Sequence, residues 1–248
     1  MGNIFVSVAV EAKNVVKDFG SVRALDGLSF KIEKGEIFGL IGLNGAGKTT
    51  ALRITATLLL PTSGTVTVFG HDTVEGASEV RNLISYLPEE AGAYKNLSGM
   101  EYLKFMASFG TKDKATIEKL VDSAAEISGL GDRLKDKVKG YSKGMKRRLL
   151  VARALMTKPK LAILDEPNSG LDVLHSVHVR TLIKRYAKEH DVTILLSSHN
   201  MLEVEYLCDR VALVNKGKVV IEGSPTELKT KYNAVNLEEV FGEVVGFA

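Results

Sequence analysis

The chain has 248 residues, of which 45% are hydrophobic and 25% charged, and this balance excludes a disordered or fibrous protein. Its 33 Lys and Arg against 30 Asp and Glu give a formal net charge of +3. This charge is too close to balance for the whole surface to attract nucleic acid or an anionic membrane. No run of about 18 apolar residues occurs, so we expect no membrane-spanning helix, and any membrane role requires another chain.

The amino terminus and the single cysteine indicate a cytoplasmic protein. The segment MGNIFVSVAV is apolar but has no basic residue before it, unlike a secretory signal, and Val6 stands where a myristoylation site needs Ser or Thr. Cys208 has no partner for an internal disulfide, which is typical of a reducing compartment. We expect it to be a small buried hydrophobic residue rather than a nucleophile.

The first third of the chain predicts strands of two kinds. Segments 8–16, 23–32 and 65–69 tend towards alternation of apolar and polar residues and predict a small antiparallel sheet. Segment 37–41 is continuously apolar, as are 161–164 and 192–196 further along the chain, which is typical of parallel strands buried on both faces.

The middle and end of the chain predict helices between these strands. Segment 96–129 is helical in pattern, with Ser98 and Glu101 forming a capping box at its start. Segments 143–157 and 173–189 also follow the helical period. Near the end, two strands around 215–218 precede a short helix whose cap, first and third positions are Ser224, Pro225 and Glu227. The fold class is therefore α/β.

The segment GLNGAGKTT, residues 42–50, fits the phosphate-binding pattern of Gly, four residues, Gly, Lys and then Ser or Thr. Its glycines allow a tight turn that directs N–H groups at phosphate oxygens, and the helix after it adds its positive dipole end. Lys48 would contact the β and γ phosphates, and Thr49 would hold magnesium. The predicted nucleotide-binding residues here are Asn44, Gly45, Ala46, Gly47, Lys48, Thr49 and Thr50. The alternative is a plain glycine-rich turn.

The segment LAILDEP, residues 161–167, is an apolar strand that ends in two carboxylates. Successive strand side chains point to opposite faces, so Asp165 and Glu166 are expected to have different tasks. We predict that Asp165 serves the magnesium shell and that Glu166 polarises the attacking water. The alternative is that both are solvated residues at a strand end.

Three further segments follow: YSKGMKRRLLVARAL (141–155), NSGLD (168–172) and LLSSHN (195–200). With the two phosphate motifs in this order, the chain resembles the ATP-binding cassettes of ABC transporters over nearly its full length. It is most similar to exporter-type cassettes for drugs, antibiotics, sodium or polysaccharide, whose signature often reads YSKGM. The resemblance implies two cassettes that sandwich two ATP molecules, with Ser142 and Gly144 of one chain at the γ phosphate bound by the other. The alternative for this segment is a helix cap with a solvated basic face, because residues 132–153 carry a local charge of 9 − 2 = +7.

The resemblance assigns roles to three more residues. His199 matches the histidine that contacts the γ phosphate, although a histidine at a strand end is more often structural. Asp172 matches the loop that crosses to the other chain, and it could equally be a helix N-cap. Phe19 lies where an aromatic ring stacks on adenine, and its alternative is packing at the end of the first strand.

The chain also departs from the family pattern. Lys143 and Met145 replace the usual Gly and Gln of the signature, so the contacts of that Gln do not carry over. Glu89 stands where most cassettes have a glutamine that meets magnesium and the attacking water, and its alternative is an exposed acidic turn. His175 and His178 lie three apart on a helix, but no third metal ligand is near in sequence, so we expect no metal there.

The resemblance implies a single ABC ATPase domain with a P-loop NTPase core and mostly parallel sheet, a flanking antiparallel β subdomain and a helical subdomain. Residues 1–95 and 158–248 form the core and antiparallel part, and 96–157 form the helical signature subdomain. It implies ATP and Mg²⁺ as ligands, a homodimer or a pseudo-dimer with another cassette, and a separate transmembrane permease at the inner face of the cell membrane. No nucleic-acid partner is expected.

Two other functions are alternatives to that of a transport motor. A non-transport cassette could act as a clamp in DNA repair, translation or metal-cluster assembly, but this chain has neither a long coiled-coil insertion nor a second cassette. An unrelated P-loop GTPase or kinase leaves residues 141–155 and His199 unexplained. Export is inferred from family likeness alone, and the transported substrate is not encoded in this chain.

Overall fold

The computed structural model describes residues 8–246, so the predicted absence of a signal in residues 1–7 lies outside the described part. The strands are β1 Val8–Phe19, β2 Val22–Glu33, β3 Ile37–Ile41, β4 Ser63–Val68, β5 His71–Asp72, β6 Ile84–Leu87, β7 Leu161–Leu164, β8 Thr193–Ser198, β9 Arg210–Asn215 and β10 Lys218–Gly223. The helices are α1 Lys48–Thr55, α2 Ala77–Leu83, α3 Gly99–Ala107, α4 Lys114–Ser128, α5 Lys143–Leu155, α6 Val173–His190, α7 Met201–Leu207, α8 Pro225–Lys231 and α9 Leu237–Val245.

The larger sheet has six strands in the order β10-β9-β3-β8-β7-β6. All neighbours in it pair in parallel except β9 and β10, which are antiparallel. The three continuous apolar runs became β3, β7 and β8, and every residue in these strands is buried. The predicted α/β fold with a mostly parallel sheet is therefore confirmed.

The smaller sheet has four strands in the order β2-β1-β4-β5, and its pairs are antiparallel. Buried residues of the smaller sheet and of the larger sheet form one hydrophobic cluster. In it the rings of Phe30 and Phe38 stack with their centroids 5.8 Å apart. This packing confirms the predicted antiparallel sheet beside the core. The turn between β2 and β3 is bound to the larger sheet, because the Gly35 N–H donates to Thr193 Oγ1 at 3.0 Å.

Helices α3, α4 and α5 pack against one another through apolar side chains that belong to the other hydrophobic cluster. The capping box of Ser98 and Glu101 is present at the start of α3, as is that of Ser224 and Glu227 at α8. Segment 96–129 is not one continuous helix, because Asp113 accepts the Thr116 N–H at 2.9 Å and starts α4 anew. Helices α2, α7 and α9 were not predicted.

Among residues 8–246, no helix is both long enough and apolar enough to cross a membrane. Cys208 lies buried behind β3, and burial raises the pKa of its thiol. A side chain at Gly39 would approach its Sγ to 2.9 Å. The structure thus places Cys208 in the core, as the sequence predicted.

Three segments that follow parallel strands meet at one edge of the larger sheet. The glycine-rich loop follows β3, Asp165 follows β7, and His199 follows β8, which lies between the other two strands. The carboxyl ends of parallel strands share one edge, and ligands bind in the crevice outside that edge. The topology therefore brings residues far apart in the sequence into one site.

Candidate active site

The loop 42–47 joins β3 to α1, and two of its glycines are required by their surroundings. Gly47 has φ +109 and serves as the N-cap of α1, and a Cβ there would lie 2.7 Å from the Ala24 carbonyl oxygen. Gly42 has φ +151, and its Cβ would meet the Val214 carbonyl oxygen at 2.2 Å. Any larger residue would push the loop away from β2 and β9, against which it lies. The loop therefore presents its backbone to the space above α1.

Lys48 opens α1 and is nearly fully buried, with 6% of its surface exposed. Its Nζ donates to the carbonyl oxygens of Gly42 at 2.7 Å and Leu43 at 3.1 Å, and it lies 3.7 Å from Glu166 Oε1. Burial lowers the pKa of Lys48, while the charges of Glu166 and Asp165 oppose that shift. The ammonium group thus sits between its own loop and the carboxylates after β7.

A cavity of about 420 Å³ opens above this loop. The residues that line it are Ala24, Asn44, Gly45, Ala46, Gly47, Lys48, Thr49, Thr50, Glu89 and Glu166. All seven predicted nucleotide-binding residues of the loop are among them. The structure therefore brings the loop, the residue after β6 and a carboxylate after β7 around one space.

Asp165 is buried at the end of β7, and three hydroxyl groups point at its carboxylate. Ser197 Oγ lies 2.6 Å and Thr49 Oγ1 3.1 Å from Asp165 Oδ1, while Tyr86 Oη lies 3.4 Å from Oδ2. Neighbouring ligands of an octahedral magnesium ion, each about 2.1 Å from the metal, lie about 3 Å apart. Thr49 and Asp165 thus fit a shared magnesium ion.

The acidic and imidazole groups of this site do not by themselves form a metal cage. Across residues 8–246, no group of three or more His, Cys, Asp or Glu side chains is arranged to hold a metal. Magnesium usually keeps waters and uses substrate phosphates as further ligands.

Glu166 follows Asp165 and adopts φ +45, which is rare for a residue with a side chain. Its N–H donates to Ser197 Oγ at 2.9 Å, and its carboxylate Oε2 lies 2.9 Å from His199 Nδ1. The residue is buried, whereas the side chain of His199 is 47% exposed. The turned backbone gives the Glu166 carboxylate surroundings different from those of Asp165, and the separation comes from this turn after the end of β7 rather than from the predicted alternation along a strand.

Glu89 lies in the loop after β6, with its side chain at the cavity and exposed to solvent. Its Oε1 accepts a hydrogen bond from Ser169 Oγ at 2.8 Å. Glu90, the next residue, is exposed and does not line the cavity. The structure therefore gives the two neighbouring carboxylates different surroundings.

The signature residues lie outside the cavity. Ser142 is the exposed N-cap of α5, and its Oγ accepts the Met145 N–H at 3.1 Å. Gly144 is buried against His175 of α6, and a Cβ there would lie 2.1 Å from that imidazole ring. Asp172 is the N-cap of α6 and accepts the His175 N–H at 2.9 Å. Both helix-cap alternatives are thus present in the structure.

Phe19 also lies outside the cavity lining, at the end of β1. Its ring is 49% exposed, and the ammonium group of Lys17 lies 5.0 Å from the ring centroid. The ring is therefore outside the core, and its contact with Lys17 leaves open the alternative of packing at the end of the first strand. Its role toward a nucleotide base stays a prediction.

Two residues that organise the site, Arg147 and Ser197, were not among the predicted site residues. Ser197 joins Asp165 to the Glu166 backbone, and Arg147 is buried beneath the loops that carry Glu166 and Glu89. Arg147 and Arg148 were counted as part of a basic face, yet both donate to backbone carbonyl groups. The solvated-face alternative is therefore wrong for Arg147, which is buried, whereas Arg148 is half-buried.

Comparison with known proteins supplies the relatives of this chain. A family model described as "ABC transporter" matches residues 25–169. A Bacillus licheniformis protein named as a bacitracin transport ATP-binding protein is 38% identical, over 94% of this chain and 75% of its own length. The Bacillus subtilis ABC transporter ATP-binding protein NatA is 37% identical over 89% of each chain. A solved structure described as the ATP-binding subunit of an ABC transporter superposes with a TM-score of 0.82 at 27% identity, covering 96% of this chain and 99% of that one.

Proposed function

Because the chain belongs to the ABC transporter family, as an ATP-binding subunit with ATPase activity, we propose that it drives a separate membrane permease by hydrolysing ATP in the cavity described above. The observation that carries this proposal is the meeting of the glycine-rich loop, Lys48 and Glu166 around one space. A loop of free N–H groups with a lysine binds phosphates, and a carboxylate beside them can activate water.

The phosphate-binding part of the proposal assigns residues 44–50 to the ATP phosphates. Lys48 would exchange its carbonyl partners, Gly42 and Leu43, for the β and γ phosphates. Thr49 and Asp165 would hold magnesium, with Glu89 as a further ligand at the cavity edge. When bound, the metal neutralises negative charge on the phosphates. Phe19 would stack on the adenine ring from the end of β1.

The chemical step is assigned to Glu166. Its carboxylate faces the cavity and is positioned to accept a proton from a water that attacks the γ phosphate. His199, at 2.9 Å from Oε2, would orient that carboxylate and contact the γ phosphate. Ser197 Oγ accepts the Glu166 N–H, and this hydrogen bond keeps the Glu166 carboxylate directed at the cavity.

Assembly is the second part of the proposal. Ser142, Gly144 and Asp172 lie outside the cavity of their own chain, which supports a dimer in which each signature closes over the partner's ATP. The start of α5 offers free N–H groups and a positive dipole end to such an anion. The partner is a second copy or another cassette, and 96–157 is the helical subdomain that carries the signature.

The direction of transport is proposed from the relatives. One of them is named for bacitracin transport, and another is a daunorubicin and doxorubicin resistance ATP-binding protein of Streptomyces peucetius. We therefore favour export, with the chain at the inner face of the membrane and bound to its permease. The clamp function is not favoured, since these relatives are named for transport or drug resistance.

The experiment that tests the phosphate site compares Lys48→Ala with Lys119→Ala, a change at an exposed position of α4. We expect Lys48→Ala to abolish both MgATP binding and hydrolysis while the circular dichroism spectrum is unchanged, because the charge facing the phosphates is lost. Lys119→Ala should behave as the parent. An unchanged ATP titration in folded Lys48→Ala protein would refute the phosphate site.

A further inference from the structure

Arg147 lies in the second turn of α5, the helix that begins at the signature. Only 6% of its surface is exposed, although it is a long charged residue. Such a residue is buried only when its charge and its donors find partners. The hydrogen-bond partners of Arg147 therefore indicate its role in the structure.

All of the Arg147 hydrogen bonds go to backbone carbonyl oxygens of two loops at the active site. Nε donates to Pro167 at 2.7 Å, and Nη2 donates to Asp165 at 2.9 Å and Glu166 at 2.7 Å. Nη1 donates to Glu89 at 3.0 Å and, at a longer 3.4 Å, to Pro88. A guanidinium group has five N–H donors in one plane, so this arrangement uses its full capacity.

The charge of Arg147 also suits this position. Burial lowers its pKa to about 10, against the opposing charges of Glu89, Asp165 and Glu166, so the group stays protonated near neutral pH. A lysine in its place would be a single ammonium group, unable to reach carbonyls spread across a plane. The site thus uses the geometry of arginine as well as its charge.

The contact with Glu166 bears on the chemical step. Glu166 holds φ +45, a conformation that persists only where its surroundings determine it. Its N–H donates to Ser197 Oγ. Its carbonyl oxygen accepts hydrogen bonds from Arg147 Nη2 and, at 3.0 Å, from the Ser169 N–H. Ser169 in turn donates to Glu89. Arg147 therefore binds the backbone of both residues, Glu166 and Glu89, whose carboxylates line the cavity.

We infer that Arg147 is a positioning residue that ties the signature helix to the two loops that carry Glu166 and Glu89. A shift or rotation of α5, such as one at the signature, would pull directly on the carbonyl groups of both loops. The inference rests on the proposed function, because it concerns the placement of the residues assigned to hydrolysis.

The neighbouring Arg148 offers a matched control. It also donates to backbone carbonyls, those of Ser128 and Gly129, but these lie at the end of α4 within the helical segment. Arg148→Met therefore removes a similar capping arginine from the same helix without touching the loops of the active site.

The experiment compares Arg147→Met, Arg147→Lys and Arg148→Met in the full chain. We expect Arg147→Met to lower kcat about 10²-fold, because small misplacements of reacting groups cost about that much. The Kd for MgATP should change less than about threefold, because residues 44–50 stay in place. Arg147→Lys should recover part of the loss, and Arg148→Met should keep the parent kcat.

Hydrogen exchange gives a readout that does not depend on hydrolysis. Arg147→Met should raise exchange at the Ser169 amide and in peptides covering 88–91 and 165–169. Arg148→Met should raise it at the Gly129 amide, which bonds the Glu126 carbonyl oxygen at the end of α4. Exchange is a local measure, because amides report the opening of their own segment.

The inference is overturned if Arg147→Met matches Arg148→Met in kcat, or if exchange at 88–91 and 165–169 is unchanged. Should Arg147→Met fail to fold, Arg147→Lys decides by the same two measurements. Failure of the proposed function looks different: the parent protein itself would not hydrolyse MgATP, whereas the exchange pattern of the Arg147 variants would still confirm or refute the contact.

Discussion

Replacing Glu166 with Gln tests the chemical step and the assembly of the protein together. The substitution keeps the size of the side chain and removes one negative charge. A positioned general base contributes about 10² to 10⁴ in rate, equivalent to about 3 to 5.5 kcal/mol of barrier. We expect Glu166→Gln to lose hydrolysis by that factor.

The affinity of Glu166→Gln for MgATP should not fall. At 3.7 Å, the attraction between Lys48 and Glu166 is about 4 kcal/mol for an effective dielectric constant of 20, before the cost of burying both charges. Removing the carboxylate frees Lys48 from this pairing and takes a negative charge away from the phosphates. The affinity for MgATP should therefore be equal to or higher than that of the parent.

The assay combines single-turnover hydrolysis, equilibrium titration of MgATP and light scattering at high protein concentration. Salt is kept the same throughout, because ionic contacts to phosphate are screened. With hydrolysis stalled, the variant should be a dimer in ATP and a monomer without it. Glu90→Gln, an exposed carboxylate outside the cavity, should behave as the parent. Normal hydrolysis in Glu166→Gln would refute the role of Glu166 as general base. A slow variant that stays monomeric would refute the dimer that encloses ATP.

Two further predictions concern other parts of the chain. Glu89→Gln should change the magnesium dependence of hydrolysis more than the affinity for ATP, because its carboxylate lines the cavity while the loop binds the phosphates. Glu90→Gln is again the control, and identical magnesium titrations for Glu89→Gln and the parent would return Glu89 to a surface role. Ser98→Ala removes the hydroxyl that caps α3 and should cost about 1 kcal/mol of unfolding free energy in urea titrations, with ATP affinity unchanged. An unaltered unfolding midpoint would count against that contribution.

The parts of this fold that the sequence predicted are those with a local or periodic signal. The short, continuous apolar runs of β3, β7 and β8 are typical of buried strands, and the capping boxes at Ser98 and Ser224 are defined by residues three apart. Helix α9 was missed because Asn236 was not recognised as its N-cap. The break before α4 was missed because Asp113 was not recognised as a new N-cap.

The same distinction applies to the candidate site. Loop 42–50 and the pair of Asp165 and Glu166 were visible because residue type and spacing alone suggest their chemistry. Arg147 was not, because its partners are backbone carbonyls, and every residue in a chain has one. Only the fold decides which carbonyls an arginine of α5 reaches, so the sequence counts Arg147 only in the basic stretch 132–153, for which a solvated face was one alternative.

The backbone conformation of Glu166, a residue that the sequence motif predicted, depends on Arg147, a residue that no motif marked. A left-handed backbone at a non-glycine residue costs on the order of 1 to 3 kcal/mol, and a hydrogen bond to a charged group contributes about 1.5 to 3 kcal/mol. The bond from Arg147 Nη2 to the Glu166 carbonyl is thus of the size needed to hold the turn, with Ser197 on the other side of the same residue. Arg147 of α5 and Ser197 of β8 bind the backbone of Glu166, while His199 and Lys48 contact its carboxylate. A motion of α5 that weakens the Arg147 contact would let Glu166 relax from this conformation and so lower the rate of hydrolysis without removing a single residue that touches ATP.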